Sequence, residues 1–263
     1  MFRNAFVLGG LSATVCVASA SASLQVLASA DFSTYANGAL VGQNGWQQYL
    51  AQTTNPLQVS GGKVSWAGGS TVNHQDAMLA FANQITQPAS GTTVLNFDIL
   101  LSVASAGANP SYFAALNTTT GTGTSGNFQN VRMVAQASGS GFVFGTRVNG
   151  QSGYPFGYGT TVLNFGQTYA LRAEINLVAG NANDFINLYV GNDFNSLSLY
   201  GTAGYGSGTV SDISVGAMLL SQFGSPTVFE SGVSVSSMSV TLVPAPGAVA
   251  LIGLAGLVAR RRK

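Results

Sequence analysis

Cysteine is all but missing from this chain of 263 residues, and so are histidine and charge. The one cysteine, Cys16, lies in an apolar N-terminal stretch, so the body has no thiolate nucleophile, no disulfide and no cysteine metal site. Charged residues make up 6%, against roughly 25% in ordinary soluble domains, which is too few to neutralise a phosphate backbone and excludes a nucleic-acid partner. A Ser-His-Asp triad would have to pass through His74, the sole histidine, and no Gly-x-Ser-x-Gly elbow accompanies it. What the chain has instead is 46% hydrophobic residues and 34 glycines, a composition that excludes disorder and points to many turns and short strands.

The two ends account for part of that hydrophobicity. Arg3, the apolar run from Phe6 to Val17 and the small-x-small sites Ala18-Ser19-Ala20 and Ala20-Ser21-Ala22 form the three parts of a secretory signal over residues 1–22, with Ala20 or Ala22 last before the cut by signal peptidase. At the other end Pro244-Ala245-Pro246 precedes an apolar stretch from Gly247 to Ala259 and the terminal Arg260-Arg261-Arg262-Lys263. As a helix those apolar residues cover about 20 Å, a marginal span of a bilayer, with the cations on the cytoplasmic side. Residues 244–263 resemble the PEP-CTERM sorting signal, with Ala245 where that signal has Glu. The resemblance implies an exosortase-like processing enzyme as partner and membrane contact through a short C-terminal helix, at least transiently. The protein is expected to be exported to the cell surface or extracellular matrix.

Between the ends, residues 23–243 suit one large all-β domain. Only Lys63, Arg132, Arg147 and Arg172 are cationic here against all eight acids, so the body carries a formal charge of −4 and suits neutral partners such as polysaccharides. Apolar residues recur with period two: Leu95, Phe97, Ile99, Leu101, and then Tyr169, Leu171, Ala173, Ile175, Leu177. Further strands are expected at Leu24 to Ala28, Lys63 to Trp66, Met78 to Ala82, Tyr112 to Asn117, Val131 to Gln136, Phe142 to Val148, Phe185 to Val190, Ile213 to Leu220 and Val233 to Leu242. In the last, the apolar parity changes between Val235 and Met238, which predicts a β-bulge near Ser236-Ser237. These signals predict a two-sheet antiparallel jelly-roll sandwich.

The run Gly38-Ala39-Leu40-Val41-Gly42-Gln43-Asn44-Gly45-Trp46, then Val59-Ser60-Gly61-Gly62-Lys63-Val64, Gly141-Phe142-Val143-Phe144-Gly145 and Thr168-Tyr169-Ala170-Leu171-Arg172, resembles the concanavalin A-like (laminin G-like) domains. That family is a two-sheet jelly roll used by lectins, adhesins and some glucanases, so the resemblance implies a fold without choosing among those activities.

The residues themselves favour binding over catalysis. Glycoside hydrolysis needs two carboxyl groups about 5 to 10 Å apart. The acids here are Asp31, Asp76, Asp98, Glu174, Asp184, Asp193, Asp212 and Glu230, the closest two nine positions apart, so no strand carries a local dyad. Asn183-Asp184 and Asn192-Asp193 offer oxygens for calcium and are equally ordinary turn formers; no cofactor is required. Trp46, Tyr154, Phe156 and Tyr158 sit in Gly-rich loops as candidate platforms for a pyranose ring, or else as a core plug and a cap on the sandwich. Thr118 to Gly126 and Thr202 to Gly208 read as flexible loops. The expected function is a non-enzymatic binding or matrix protein for extracellular polysaccharide; the alternatives are a divergent polysaccharide hydrolase or lyase, and a structural surface or biofilm protein without a specific ligand.

Overall fold

The stretch with the strictest alternation, around Leu95 to Leu101, is the centre of the longest strand. Leu95, Phe97, Ile99, Leu101 and Val103 are fully buried while Asn96, Asp98 and Leu100 between them are not, because consecutive side chains leave a strand on opposite faces. The computed structural model describes residues 24–49, 55–66, 75–118, 129–148, 156–204, 213–223 and 232–244. In chain order the strands are β1 (Gln25–Asp31), β2 (Gly38–Ala39), β3 (Gln47–Tyr49), β4 (Gln58–Ser60), β5 (Lys63–Trp66), β6 (Asp76–Ile85), β7 (Thr92–Ser105), β8 (Ser111–Asn117), β9 (Gln129–Ser138), β10 (Gly141–Val148), β11 (Gly157–Tyr158), β12 (Thr168–Val178), β13 (Phe185–Gly191), β14 (Ser198–Gly204), β15 (Val215–Phe223) and β16 (Gly232–Val243). Among the described residues the only helical element is the 3-10 turn Phe32–Thr34, and no helix is long and apolar enough to cross a membrane. The expected C-terminal helix and the processing residues Ala20, Ala22, Ala245, Pro246, Arg260, Arg261 and Arg262 lie outside the described residues; Pro244 is the last one inside them.

The strands form two antiparallel sheets stacked as a sandwich. One has nine strands in the order β14-β13-β12-β7-β16-β5-β4-β2, with β1 also on β16; the other has seven in the order β11-β10-β9-β8-β15-β6-β3. The inner faces meet in one large apolar cluster that draws Phe97, Ile99, Leu171 and Val240 from the first sheet and Phe113, Met133, Phe142, Phe144 and Met218 from the second. Each such fully buried side chain contributes about 1.5 to 3 kcal/mol. At one end Phe142 packs edge-on to Phe144 at 4.9 Å and stacks on Phe165 at 5.4 Å.

The expected bulge is present. Pairing with β7 slips between Val235, opposite Leu101, and Ser237, opposite Leu100. At that point the other edge of β16 changes partner, from β5 along Val233–Val235 to β1 from Ser237 onward. The extra residue resets the pleat so that Val235 and Met238 both face the core.

Two sequence expectations change. Thr202, Ala203 and Gly204 belong not to a loop but to the strand β14, which pairs along its length with β13. Gly157–Tyr158 is likewise a short strand, paired with Gly145 and Thr146 of β10. In both places glycine lets backbones approach where side chains would collide: a Cβ on Gly157 would overlap the Thr202 carbonyl, and one on Gly159 the Tyr200 ring.

Candidate functional site

The two outward faces of the sandwich differ in how they treat charge. On the nine-stranded sheet the outward residues are matched across strands. Asp98 lies opposite Arg172, whose guanidinium Nε and terminal nitrogen donate to both carboxylate oxygens at 2.7 and 2.8 Å. This bond, ahead of the opposing effect of burial, holds the Arg172 pKa above its usual value. In the next row Asn187 donates to Glu174 at 3.0 Å, and Thr202 to Asn187 at 3.4 Å. A shallow concavity on this face, lined by Ser29, Asp31, Asp98, Ser236, Ser237 and Ser239, has both of its carboxylates engaged already, Asp31 by Ser33 and Asp98 by Arg172.

The outward face of the seven-stranded sheet is arranged differently. One cross-strand row runs through six strands: Gln47, Met78, Leu219, Ala115, Arg132 and Arg147. Its apolar part, with Tyr49 and Ala217, forms a second buried cluster separate from the core between the sheets. Its other end carries the two arginines, directly opposite each other on β9 and β10 and each only 8% exposed. Both are flanked by rings. The Arg132 guanidinium lies 4.7 Å from the centre of the Tyr112 ring and that of Arg147 5.0 Å from the centre of Phe156. Phe156 in turn packs against Tyr112 at 6.0 Å and Tyr158 at 5.6 Å. The Nε of Arg132 is buried and makes no hydrogen bond.

Electrostatics follow the burial. Desolvation lowers the Arg147 pKa, with the neighbouring Arg132 adding to the effect against Tyr112 and Tyr158. Burial first, then Tyr112, pushes the Tyr158 hydroxyl up to about 12. At the far side of the face the Tyr49 hydroxyl is buried without a hydrogen bond of normal geometry. Burial and then the Asp76 carboxylate raise its pKa, against smaller opposing pulls from Arg132 and Asn117. Of the acids among the described residues, Asp76 is the one on this sheet.

The candidate residues read from sequence separate into three groups. Phe156 and Tyr158 reach the aromatic end of this face: Tyr158 lies over Gly145, where a Cβ would stand 2.6 Å from its ring. Tyr154 and His74 lie outside the described residues. Trp46 is 2% exposed and belongs to the core, where its indole N–H donates to the Tyr35 hydroxyl at 3.1 Å and its ring packs on Phe32, so it has no face to offer a sugar.

The suggested calcium ligands do not converge. Asn183-Asp184 and Asn192-Asp193 sit at opposite ends of β13, about 25 Å apart at the rise of an extended strand. Asp184 is buried, one carboxylate oxygen accepting from the Val178 amide at 2.7 Å and the other from the Ile213 amide at 3.1 Å. It therefore ties the end of β12 to the segment entering β15 in the other sheet. Asn183 donates to the Ala179 carbonyl, and Asp193 caps its own turn through the Asn195 amide; Asn192 is exposed. Among the described residues no three potential metal-binding side chains cluster.

Arg132, Arg147, Tyr112 and Tyr49 were not singled out in the sequence. A signal was there: two of the four cations of the body stand inside apolar strands, on the parity opposite to Val131, Met133, Phe144 and Val148.

No family model matches the chain, and no curated protein matches it. Solved structures do. An alginate lyase, Aly36B, solved as a double mutant with an alginate trisaccharide, superposes with a TM-score of 0.51 at 13% identity, over 85% of this chain and 100% of that one. The carbohydrate recognition domain of Emp47p gives 0.46 at 11% identity over 84% and 97%. Peanut lectin with a bound 9mer peptide gives 0.45 at 10% over 80% and 98%. The likeness to the lyase is one of fold, a sandwich of two antiparallel sheets over most of both chains.

Proposed function

We propose that this protein is an exported, surface-targeted binding or matrix protein that holds extracellular polysaccharide on the outward face of its seven-stranded sheet and does no chemistry on it. The observation that carries this reading is the aromatic and arginine cluster Tyr112, Phe156, Tyr158, Arg132 and Arg147 on one rigid sheet face. Phe156 and Tyr158 are its half-buried rings, Tyr158 being held by the pairing of its strand with β10, and rings fixed at a surface stack against pyranose faces. The lectin and lyase folds that the sandwich resembles act on or recognise carbohydrate by their own names, which supports the same reading. Export and sorting rest on the N-terminal signal and on the PEP-CTERM-like tail.

Hydrolysis by a carboxylate pair draws no support from this face, where Asp76 stands without a second acid among the described residues. The test is binding of the full-length protein, in detergent, to a panel of soluble polysaccharides, with a long incubation analysed for released sugar. Saturable binding without release is the expected result; released or unsaturated product would overturn the non-catalytic part, and no binding would overturn the carbohydrate reading.

A further inference from the structure

We infer that the groove on the outward face of the nine-stranded sheet is a second saccharide site, one that takes neutral sugars. It lies on the sheet opposite to the site proposed above and does not depend on it. The concavity has a volume of 560 Å³, within the roughly 300 to 1,000 Å³ of small-ligand sites. The neighbouring strands β1, β16 and β7 supply its lining, joined by Phe194 from the turn between β13 and β14.

Its chemistry suits a partner rich in hydroxyls. Ser29, Ser236, Ser237 and Ser239 line it, and none of their hydroxyls hydrogen-bonds to another described residue. Elsewhere on the same sheet serine hydroxyls are used within the fold: Ser234 shares a hydrogen bond with Ser65 at 2.6 Å, and Ser105 accepts from the Gly232 amide at 3.1 Å. The slip of β16 between Val235 and Ser237 brings two consecutive serines to one groove, since a bulge re-aims the side chains beside it. Asp31 adds an acceptor: its Oδ1 takes the Ser33 amide and hydroxyl, at 3.1 and 2.7 Å, which fixes the carboxylate and leaves Oδ2 without a bond to a described residue. Phe194 is half-buried and supplies a ring for the face of a pyranose. Its turn is fixed, because Asp193 accepts from the Asn195 amide at 2.8 Å and Gly191 leaves room for the Ser196 carbonyl, 2.6 Å from where a Cβ would stand. No described residue lining the groove is cationic, and the Arg172 guanidinium beside it is held by Asp98. Two carboxylates repel an acidic sugar, whereas hydroxyls, an acceptor and a ring match a neutral one. Together with the site on the other sheet, the groove would let one molecule hold two polysaccharide strands.

The experiment is methyl NMR of the full-length protein, in a detergent without a sugar headgroup, titrated with maltohexaose, cellohexaose, galactohexaose and a hexauronate. The Leu100 methyl signals report the groove, and those of Val134, which lies with Tyr158 at Gly145, report the face of the seven-stranded sheet. At least one neutral oligomer should move the Leu100 signals saturably, and the hexauronate should not. Phe194→Ala and Ser239→Val, in separate elements, should each weaken that response about ten-fold while signals far from the groove stay in place. Phe194→Tyr, which keeps the ring, and Tyr158→Ala, on the other sheet, should leave it unchanged. Movement of Val134 with Leu100 still overturns this inference and leaves the reading of the seven-stranded face standing. Movement of Leu100 alone supports the groove and overturns that other reading. Stillness of both signals overturns both. A Leu100 response to the hexauronate and to no neutral oligomer overturns the assignment to neutral sugars, and one that survives both Phe194→Ala and Ser239→Val overturns the site.

Discussion

Two outward faces of one sandwich hold the three arginines of the body, and they hold them in opposite ways. On the nine-stranded sheet Arg172 has a carboxylate partner, both hydrogen bonds are short, and the side chains are 30% and 15% exposed. On the seven-stranded sheet Arg132 and Arg147 are more deeply buried, face aromatic rings, and lie beside each other. The first arrangement answers charge with charge. The second sets guanidinium groups against ring faces and leaves the buried Nε of Arg132 without a hydrogen bond, the kind of contact that is costly to bury.

The comparison can be tested by cutting the link between the two sheets. Asp184→Ala removes a buried carboxylate that accepts an amide from each sheet's segment, and should lower the free energy of unfolding by about 2 to 4 kcal/mol in a denaturant titration, more than any substitution on either outward face.

Next in size is Tyr158→Ala. It removes a ring from the aromatic end of the seven-stranded face and should weaken polysaccharide binding about ten-fold, equivalent to about 1.4 kcal/mol, in a titration of the full-length protein. The faces should then separate by stability. Arg172→Gln breaks a two-bond ion pair and should cost about 1 kcal/mol. Arg132→Gln breaks no ion pair among the described residues and relieves a like-charge contact, so its unfolding free energy should stay within about 0.5 kcal/mol of the parent.

The smallest effect is read with alkali. Burial pushes Tyr158 and Tyr200 up to about 12 from 10.0. Below pH 10 both are neutral in the folded and unfolded chain. Between 10 and 12 only the unfolded chain loses those protons, so stability must fall with rising pH across that window. Tyr158→Phe should reduce the fall, as followed by the denaturant midpoint at pH 9, 10 and 11.

Much of the fold was legible because the core lies on one side of each sheet. β7 and β12 announce themselves through period two, and the change of parity at Ser236 gave away the bulge, since a slipped pleat has to appear as an apolar residue on the other parity. β14 was not legible, because Ser198–Gly204 is mostly small or polar residues and its Leu199 is 62% exposed; its pairing with β13 and the close approach of β11 decide its shape. The site was half legible. Aromatic density pointed to Phe156 and Tyr158, whereas Tyr112, Arg132 and Arg147 come from three different strands that only the order β10-β9-β8 brings together. Trp46 looked like a platform because it stands among glycines, yet those glycines form the turn that folds it inward, where Gly42 donates to the Trp46 carbonyl and Trp46 to that of Gln43.

The most direct measurement is the binding isotherm of the full-length protein with a panel of soluble polysaccharides, set beside those of Tyr158→Ala and Arg172→Gln. The account predicts saturable binding that weakens in Tyr158→Ala and is unchanged in Arg172→Gln. Absence of saturable binding across the panel, or a loss confined to Arg172→Gln, would contradict it.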